Sequence, residues 1–266
     1  MKIDHIQIKS DKKSICEDYF FSDTSKGIFA VLDGATPISN FVDQEGRNGA
    51  VLASKIVGKA ILNSSSTSLK TRISEANSLL LKEMQKQNID LAKKEDLWCT
   101  CLAMVMVDER YLHFAQIGDC MIFAATKSGE FKALTKDMVL GISKRAMDQR
   151  EKERHEGKNI PNEDFYHIKK NALIYNRYLA NKENGYAVLN GDPAAENFLY
   201  IGLLPKEELS EVLLITDGLF PKDRNWEEMY LRIKKHGLSQ YARDLVEYEV
   251  ANNLHQDDKT GIYIKF

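Results

Sequence analysis

An α+β fold, an antiparallel β-sandwich with helices on its outside, is what the order of elements along this chain predicts. Three observations carry that expectation. Strand patterns come in groups, helical patterns fall between the groups, and the last residues return to a strand. A doubly wound parallel sheet would require strands and helices in regular alternation, which this chain lacks.

Apolar residues at strand spacing predict strands over residues 3–8, 14–21 and 27–32. Helical spacing follows over 46–62 and 68–87, joined by the polar run 63–68. Residues 98–107, 111–117, 121–126 and 131–134 read as a meander with short polar turns at 108–110 and 127–130. The character then changes: residues 141–190 hold ten Lys or Arg against seven Asp or Glu, a local balance of +3, in helix-favouring sequence that reads as an inserted flap or lid. Strand patterns return at 197–202 and 212–216, helices at 226–236 and 239–252, and residues 260–266 close as a strand. No repeat or Pro/Gly-rich linker divides the chain, so one domain over residues 1–266 with a flap at 141–190 is expected.

The 266 residues carry 37 Lys or Arg against 39 Asp or Glu, a formal charge of -2, with 43% hydrophobic residues. A pI near 6.3 argues against nucleic acid or an anionic membrane held by bulk charge. No apolar run approaches the ~20 residues of a bilayer span, and the first residues lack the apolar centre of a secretion signal. A cytoplasmic monomer is the expectation. Cys16, Cys99, Cys101 and Cys120 form no CxxC pair and no zinc-site grouping, and none has an adjacent basic residue. They read as reduced thiols and not as nucleophiles.

The chemistry-bearing signal is aspartate at strand ends. Asp33-Gly34 ends IFAVLDG, Asp119 ends LHFAQIGD, Asp217-Gly218 ends LLITDG, Asp257-Asp258 precedes the last strand, and Glu17-Asp18 lies within CEDYFF. An Asp-Gly pair alone is a common turn. Carboxylates abutting buried strands, however, are costly unless paired, hydrogen-bonded or metal-bound, and several converging would repel one another. With oxygen donors only, the set suits hard Mg²⁺ or Mn²⁺ better than zinc.

The order and wording of these segments resemble the metal-dependent protein phosphatase family, protein phosphatase 2C-like and bacterial in type, over nearly the whole chain. The matching elements are Glu17-Asp18, Val31-Leu32-Asp33-Gly34, the strand around Thr100, Gln116 to Cys120, Leu134-Thr135-Lys136-Asp137, Ile215-Thr216-Asp217-Gly218 and Asp257-Asp258-Lys259-Thr260. The resemblance implies a four-layer αββα sandwich with a metal site at one edge. It implies removal of phosphate from phosphoserine and phosphothreonine in proteins by a water that bridges two Mn²⁺ or Mg²⁺ ions. Asp33 would bridge the ions, with the Gly34 carbonyl and, through water, Glu17 on one of them. Asp217 and Asp257 would hold the other, Asp119 would belong to a third ion, and Asp18 would orient the nucleophilic water. Asp258, at the family's Asn position, is a weaker ligand candidate.

Three departures modify that expectation. Ala35-Thr36-Pro37 stands where the family often has His-Gly-Gly, leaving protonation of the leaving group to solvent. Pro221 replaces a third-metal aspartate, so two ions are expected. Lys13 stands where the family has a phosphate-binding Arg, a point charge in place of a planar fork. Two alternatives share the metal centre or fold: a phosphatase of a small phosphorylated molecule, and a binding module with little turnover. Beside these, His255 is read as a loop residue near Asp257, and Tyr166, Tyr175 and Tyr178 as helix packing or a substrate-facing lid.

Overall fold

Side chains alternate across a strand, and in this molecule that alternation decides the layers. The computed structural model describes residues 1–35 and 38–266. Among these residues, ten strands form two five-stranded antiparallel sheets. The first runs β1 (Lys2–Ile8), β10 (Lys259–Lys265), β9 (Leu209–Ile215), β6 (Met121–Thr126) and β7 (Phe131–Ala133). The second runs β2 (Tyr19–Asp23), β3 (Ile28–Gly34), β4 (Thr100–Val107), β5 (Tyr111–Ile117) and β8 (Tyr200–Pro205).

In the first sheet, Ile122, Ala124, Val212, Leu214, Ile262 and Ile264 share a core with the second sheet. Their neighbours in sequence, Phe123, Leu213, Ile215 and Tyr263, turn the other way. They pack on Met229, Ile233, Leu238, Tyr241 and Leu245 of α6 (Trp226–His236) and α7 (Leu238–Ala251). Each fully buried side chain of this kind contributes roughly 1.5–3 kcal/mol. The second sheet is covered by α1 (Gly49–Asn63) and α2 (Leu69–Lys86), which bury Ala53, Val57, Ile61, Ile73, Leu80 and Met84. The layers therefore read helix, sheet, sheet, helix.

Helix starts follow their caps. Asn48 accepts the Val51 N–H at 3.0 Å, and Ser68 accepts the Thr71 N–H at 3.3 Å. Asn225 does the same for Glu228 at 3.1 Å. Gly58 lets α1 close on the second sheet, because a Cβ there would lie 2.4 Å from the Tyr19 ring.

Two strands begin well after the expected start. Residues 14–18 are not strand: the Asp258 carboxylate takes the Glu17 N–H at 2.7 Å and the Ser54 hydroxyl donates to the Glu17 carbonyl at 2.7 Å, so side chains satisfy backbone groups a ladder would have used. Residues 193–198 form a 3₁₀ turn capped by Asp192, which accepts the Ala194 N–H at 2.9 Å, and this delays β8 to Tyr200.

Residues 141–190 contain α3 (Ile142–His155), α4 (Glu163–Tyr166) and α5 (Lys169–Tyr178). The three helices bury little beyond Ala146 and Arg150. The segment then re-enters the core: Ala187, Val188 and Leu189 are buried, and Leu189 and Thr100 exchange hydrogen bonds at 2.9 and 3.0 Å. Among the described residues, no helix is long and apolar enough to cross a membrane.

Topology places the acidic motifs. Strands β3 and β5 flank β4 antiparallel, so their C-terminal ends, leading to Asp33 and Asp119, share one edge. Strand β10 is antiparallel to both β9 and β1, so the start of β10, the end of β9 and the end of β1 also meet at one edge.

Candidate active site

Carboxylates from both sheets converge between these edges. Asp33, Asp119 and Asp217 offer oxygens that all lie within 4.8 Å of one another. The glycines of the two Asp-Gly pairs explain how the chain reaches this density. A Cβ at Gly34 would lie 2.5 Å from the Ala50 carbonyl oxygen and 2.7 Å from that of Glu17. A Cβ at Gly218 would lie 1.8 Å from the Asp258 carbonyl oxygen. These glycines are required for close backbone approach, a demand beyond that of a surface turn.

Burial with like-charged neighbours disfavours ionisation at this centre. Burial, then Asp217, Asp18, Asp119 and Asp257, hold the Asp33 carboxyl well above its ordinary range. Burial and then Asp217 push Asp119 up to about 7. Asp217 is raised by burial and then by Asp257, against a hydrogen bond with Asp33. Burial pushes Asp18 up to about 8, although the Thr216 hydroxyl donates to its Oδ2 at 2.8 Å.

The donor set fits a hard divalent cation. Its ligand atoms are carboxylate oxygens, and Asp119 Oδ1 is buried with no hydrogen-bond partner among the described residues. An orphaned anionic oxygen in such a cluster is what a cation would satisfy.

Glu17, Asp257 and Asp258 form the other half of the centre, around Lys13. The ammonium lies 2.7 Å from Glu17 Oε2, 2.6 Å from Asp257 Oδ1 and 3.2 Å from Asp258 Oδ2. Burial lowers the Lys13 pKa, but hydrogen bonds to Asp257 and Glu17 outweigh it and hold the group above its ordinary value. Asp258 is an anchor: buried, it also accepts the Ser10 N–H at 2.8 Å and the Glu17 N–H at 2.7 Å, which folds residues 10–17 onto the start of β10.

Several supporting groups were given no role by the sequence reading, although Thr100 and Thr216 lie in its motifs. Asn48 caps α1 and also donates from Nδ2 to Glu17 Oε1 at 2.7 Å; its only sequence signal is an amide residue before a helix. Thr216, beside Asp217, holds Asp18. Thr100 donates to the Asp33 carbonyl at 2.8 Å. Arg224 pairs with Asp137 at 2.9 Å, close to Pro221.

Other expected residues stand at the margin. His255 is exposed, 3.8 Å from Asp257. Cys16, Cys99, Cys101 and Cys120 are free, and burial raises all four thiols. Ala35 follows the centre, whereas Thr36 and Pro37 lie outside the described residues. Tyr166 and Tyr175 pack edge to face at 5.6 Å with the Arg150 guanidinium over both rings, while Tyr178 is exposed.

The sequence matches the Protein phosphatase 2C family over residues 8–256. No curated protein matches the chain significantly. Among solved structures, the serine/threonine phosphatase Stp1 from Staphylococcus aureus superposes with a TM-score of 0.59 at 16% identity, covering 100% of this chain and 94% of that one. The Mycobacterium tuberculosis serine/threonine phosphatase PstP/Ppp gives a TM-score of 0.60 at 16% identity, covering 98% of this chain and 97% of that one. The PstP catalytic domain in complex with two manganese ions gives a TM-score of 0.57 at 16% identity, covering 98% of this chain and 96% of that one. At such identity the likeness shows the fold.

Proposed function

The chain belongs to the protein phosphatase 2C family, and from that premise we propose that it removes phosphate from phosphoserine and phosphothreonine in proteins, using two Mn²⁺ or Mg²⁺ ions. The observation that carries this reading is the convergence of the Asp33, Asp119 and Asp217 carboxylates within 4.8 Å at one end of the sandwich. Asp33 would serve both ions, the Gly34 carbonyl and, through water, Glu17 would serve one, and Asp217 and Asp257 the other, with Asp119 placed to serve a third only if one binds. Bound divalent ions supply an activated water at neutral pH and neutralise charge on the transferring phosphoryl group.

The chain's own residues do the rest. Asp18 would orient the nucleophilic water through a carboxylate whose Oδ2 is held by the Thr216 hydroxyl. Thr100 steadies the backbone that presents Asp33. With Ala35 after Gly34, no histidine acid comes from that position, and solvent protonates the departing hydroxyl. The helices of residues 141–178 expose Phe165, Ile168 and Leu173 beside Lys169 and Lys170, a surface suited to an acidic phosphopeptide. Within residues 141–190, the helices of 141–178 thus act as a flap governing substrate choice within a single phosphatase domain, while residues 187–189 belong to the core.

Phosphate release from a phosphothreonine peptide and from p-nitrophenyl phosphate, with Mn²⁺ and with chelator, tests the proposal. Manganese-dependent release from the peptide is the expected result. Release only from the small ester would shift the substrate to a small phosphorylated molecule, and no release under any metal would leave a binding module.

A further inference from the structure

Three features single out Lys13 among the basic residues near the centre. Its ammonium takes oxygens from Glu17 and Asp257, residues that the metal-ligand reading above assigns to different ions, at 2.7 and 2.6 Å. The buried Glu17 Oε2 has no partner other than that ammonium among the described residues. The side chain keeps 19% exposure, so it has a path to solvent, while its backbone is pinned by the Lys13 N–H donating to the Ser10 carbonyl at 3.1 Å.

An ammonium at these distances excludes, sterically and electrostatically, a divalent ion on the Asp257 oxygen and the metal-bound water that Glu17 would hold. Asp258 also holds the Ser10 and Glu17 N–H groups, bonds that do not run through Lys13, so withdrawal need not dismantle the loop. The long, flexible lysine stem allows that movement without backbone change. We propose that Lys13 is an internal competitor for the divalent ions: it holds Glu17 and Asp257 together when metal is absent and is displaced when metal takes them.

The proposal rests on the metal-ligand reading and adds a linkage to it. Any group that favours the displaced ammonium strengthens metal binding, and the effect is reciprocal. Inorganic phosphate, an anion able to hold a free ammonium, is such a group.

The test is calorimetric titration of Mn²⁺ into chelator-stripped, full-length protein, wild type against Lys13→Met and Lys13→Arg, with thermal denaturation of each. Lys13→Met is expected to bind Mn²⁺ at least roughly tenfold tighter, because the competing close charge pairs are gone. Its melting temperature should fall below wild type without metal and meet wild type at saturating Mn²⁺. Lys13→Arg, which keeps the cation and should fold even if Lys13→Met does not, should stay within about threefold of wild-type affinity. Inorganic phosphate, which bound ions also attract, should tighten Mn²⁺ binding more in wild type than in Lys13→Met, and an equal gain in both would overturn the linkage.

Unchanged or weaker Mn²⁺ affinity in Lys13→Met, an equal melting deficit with and without metal, or tenfold tighter binding by Lys13→Arg would each overturn the proposal. If wild type binds Mn²⁺ and hydrolyses p-nitrophenyl phosphate while Lys13→Met gains no affinity, the competitor idea alone fails. If wild type neither binds Mn²⁺ nor hydrolyses the ester, the metal-phosphatase reading fails with it.

Discussion

Carboxylates meet two opposite fates in this molecule. At the sandwich edge, Asp33, Asp119 and Asp217 are packed against one another and burial raises each of them. In the 141–178 segment, Glu163 lies between two guanidiniums, 2.6 Å from Arg150 and 2.9 Å from Arg154, and these with burial opposing hold it down to about 2. The same functional group is thus left electrostatically unresolved in one region and neutralised in the other. A structural ion pair is complete in itself, whereas the edge cluster is completed by something the chain does not supply.

The sharpest way to break that contrast is to remove one carboxylate from each region. Asp33→Asn and Asp217→Asn should each lower kcat/KM for p-nitrophenyl phosphate by at least about 10³-fold and weaken Mn²⁺ binding, with an unchanged circular dichroism spectrum. Glu163→Gln should stay within about twofold in rate, because it contacts no reacting group. Wild-type Mn²⁺ affinity in Asp33→Asn would sink the assignment.

A second substitution keeps every carboxylate and moves two of them. Gly218→Ala places a methyl group where the Asp258 carbonyl stands, 1.8 Å from it, and must push Asp217 away from Asp257-Asp258. Misplacement on the scale of 1 Å is expected to cost about 10²-fold in kcat. Full activity in this variant would mean that the close approach serves folding alone.

The pH dependence separates the regions by sign. Asp119 and Asp18 have folded values of about 7 and about 8, above an unfolded Asp value near 3.9. Groups raised on folding contribute stability that is fully present below the unfolded value and lost as pH rises through the folded one. Chelator-treated protein should therefore lose stability between about pH 4 and pH 8, and Mn²⁺ should restore it. Glu163 is lowered, so its contribution is present above the ordinary glutamate value near 4.3 and is lost as pH falls towards 2. Melting curves against pH in chelator and in Mn²⁺ check this. A chelator-treated protein that grows more stable from pH 5 to pH 8 would contradict the edge-cluster half.

The smallest expected effects lie in the 141–178 segment. Arg150 is buried, stacks on Tyr166 and Tyr175 and pairs with the partly exposed Glu163, so Arg150→Met should destabilise this segment by about 1–3 kcal/mol. Faster limited proteolysis within residues 141–178 is the readout. Turnover of phosphopeptide should change more than turnover of p-nitrophenyl phosphate. Equal loss of both activities would remove the flap from substrate selection.

Much of the architecture was legible because it depends on periodicities of two and three to four. Alternation in β6, β9 and β10 divides their residues between two cores, and helical spacing marks α1, α2, α6 and α7. The acidic candidates were legible because an Asp beside a buried strand is costly by itself, whatever surrounds it. Local sequence also marked the stretch after residue 141 as unlike the core by its charge.

What tertiary structure alone decided is which of these groups meet. Strand order sets Asp33 and Asp119 from one sheet against Asp217 from the other, and no local pattern encodes that pairing. Lys13 reads in sequence as a phosphate-facing lysine, yet its ammonium sits among Glu17, Asp257 and Asp258, the latter two more than 240 positions away in the chain. Residues 14–18 read as strand, yet side chains of Ser54 and Asp258 take their backbone groups. Ala187 to Leu189 return from the charged insertion to the core beside Thr100. The physical reason is common to all four: propensity and periodicity act over a few residues, whereas charge pairing and burial are set by distance in space, which only the closed sandwich defines.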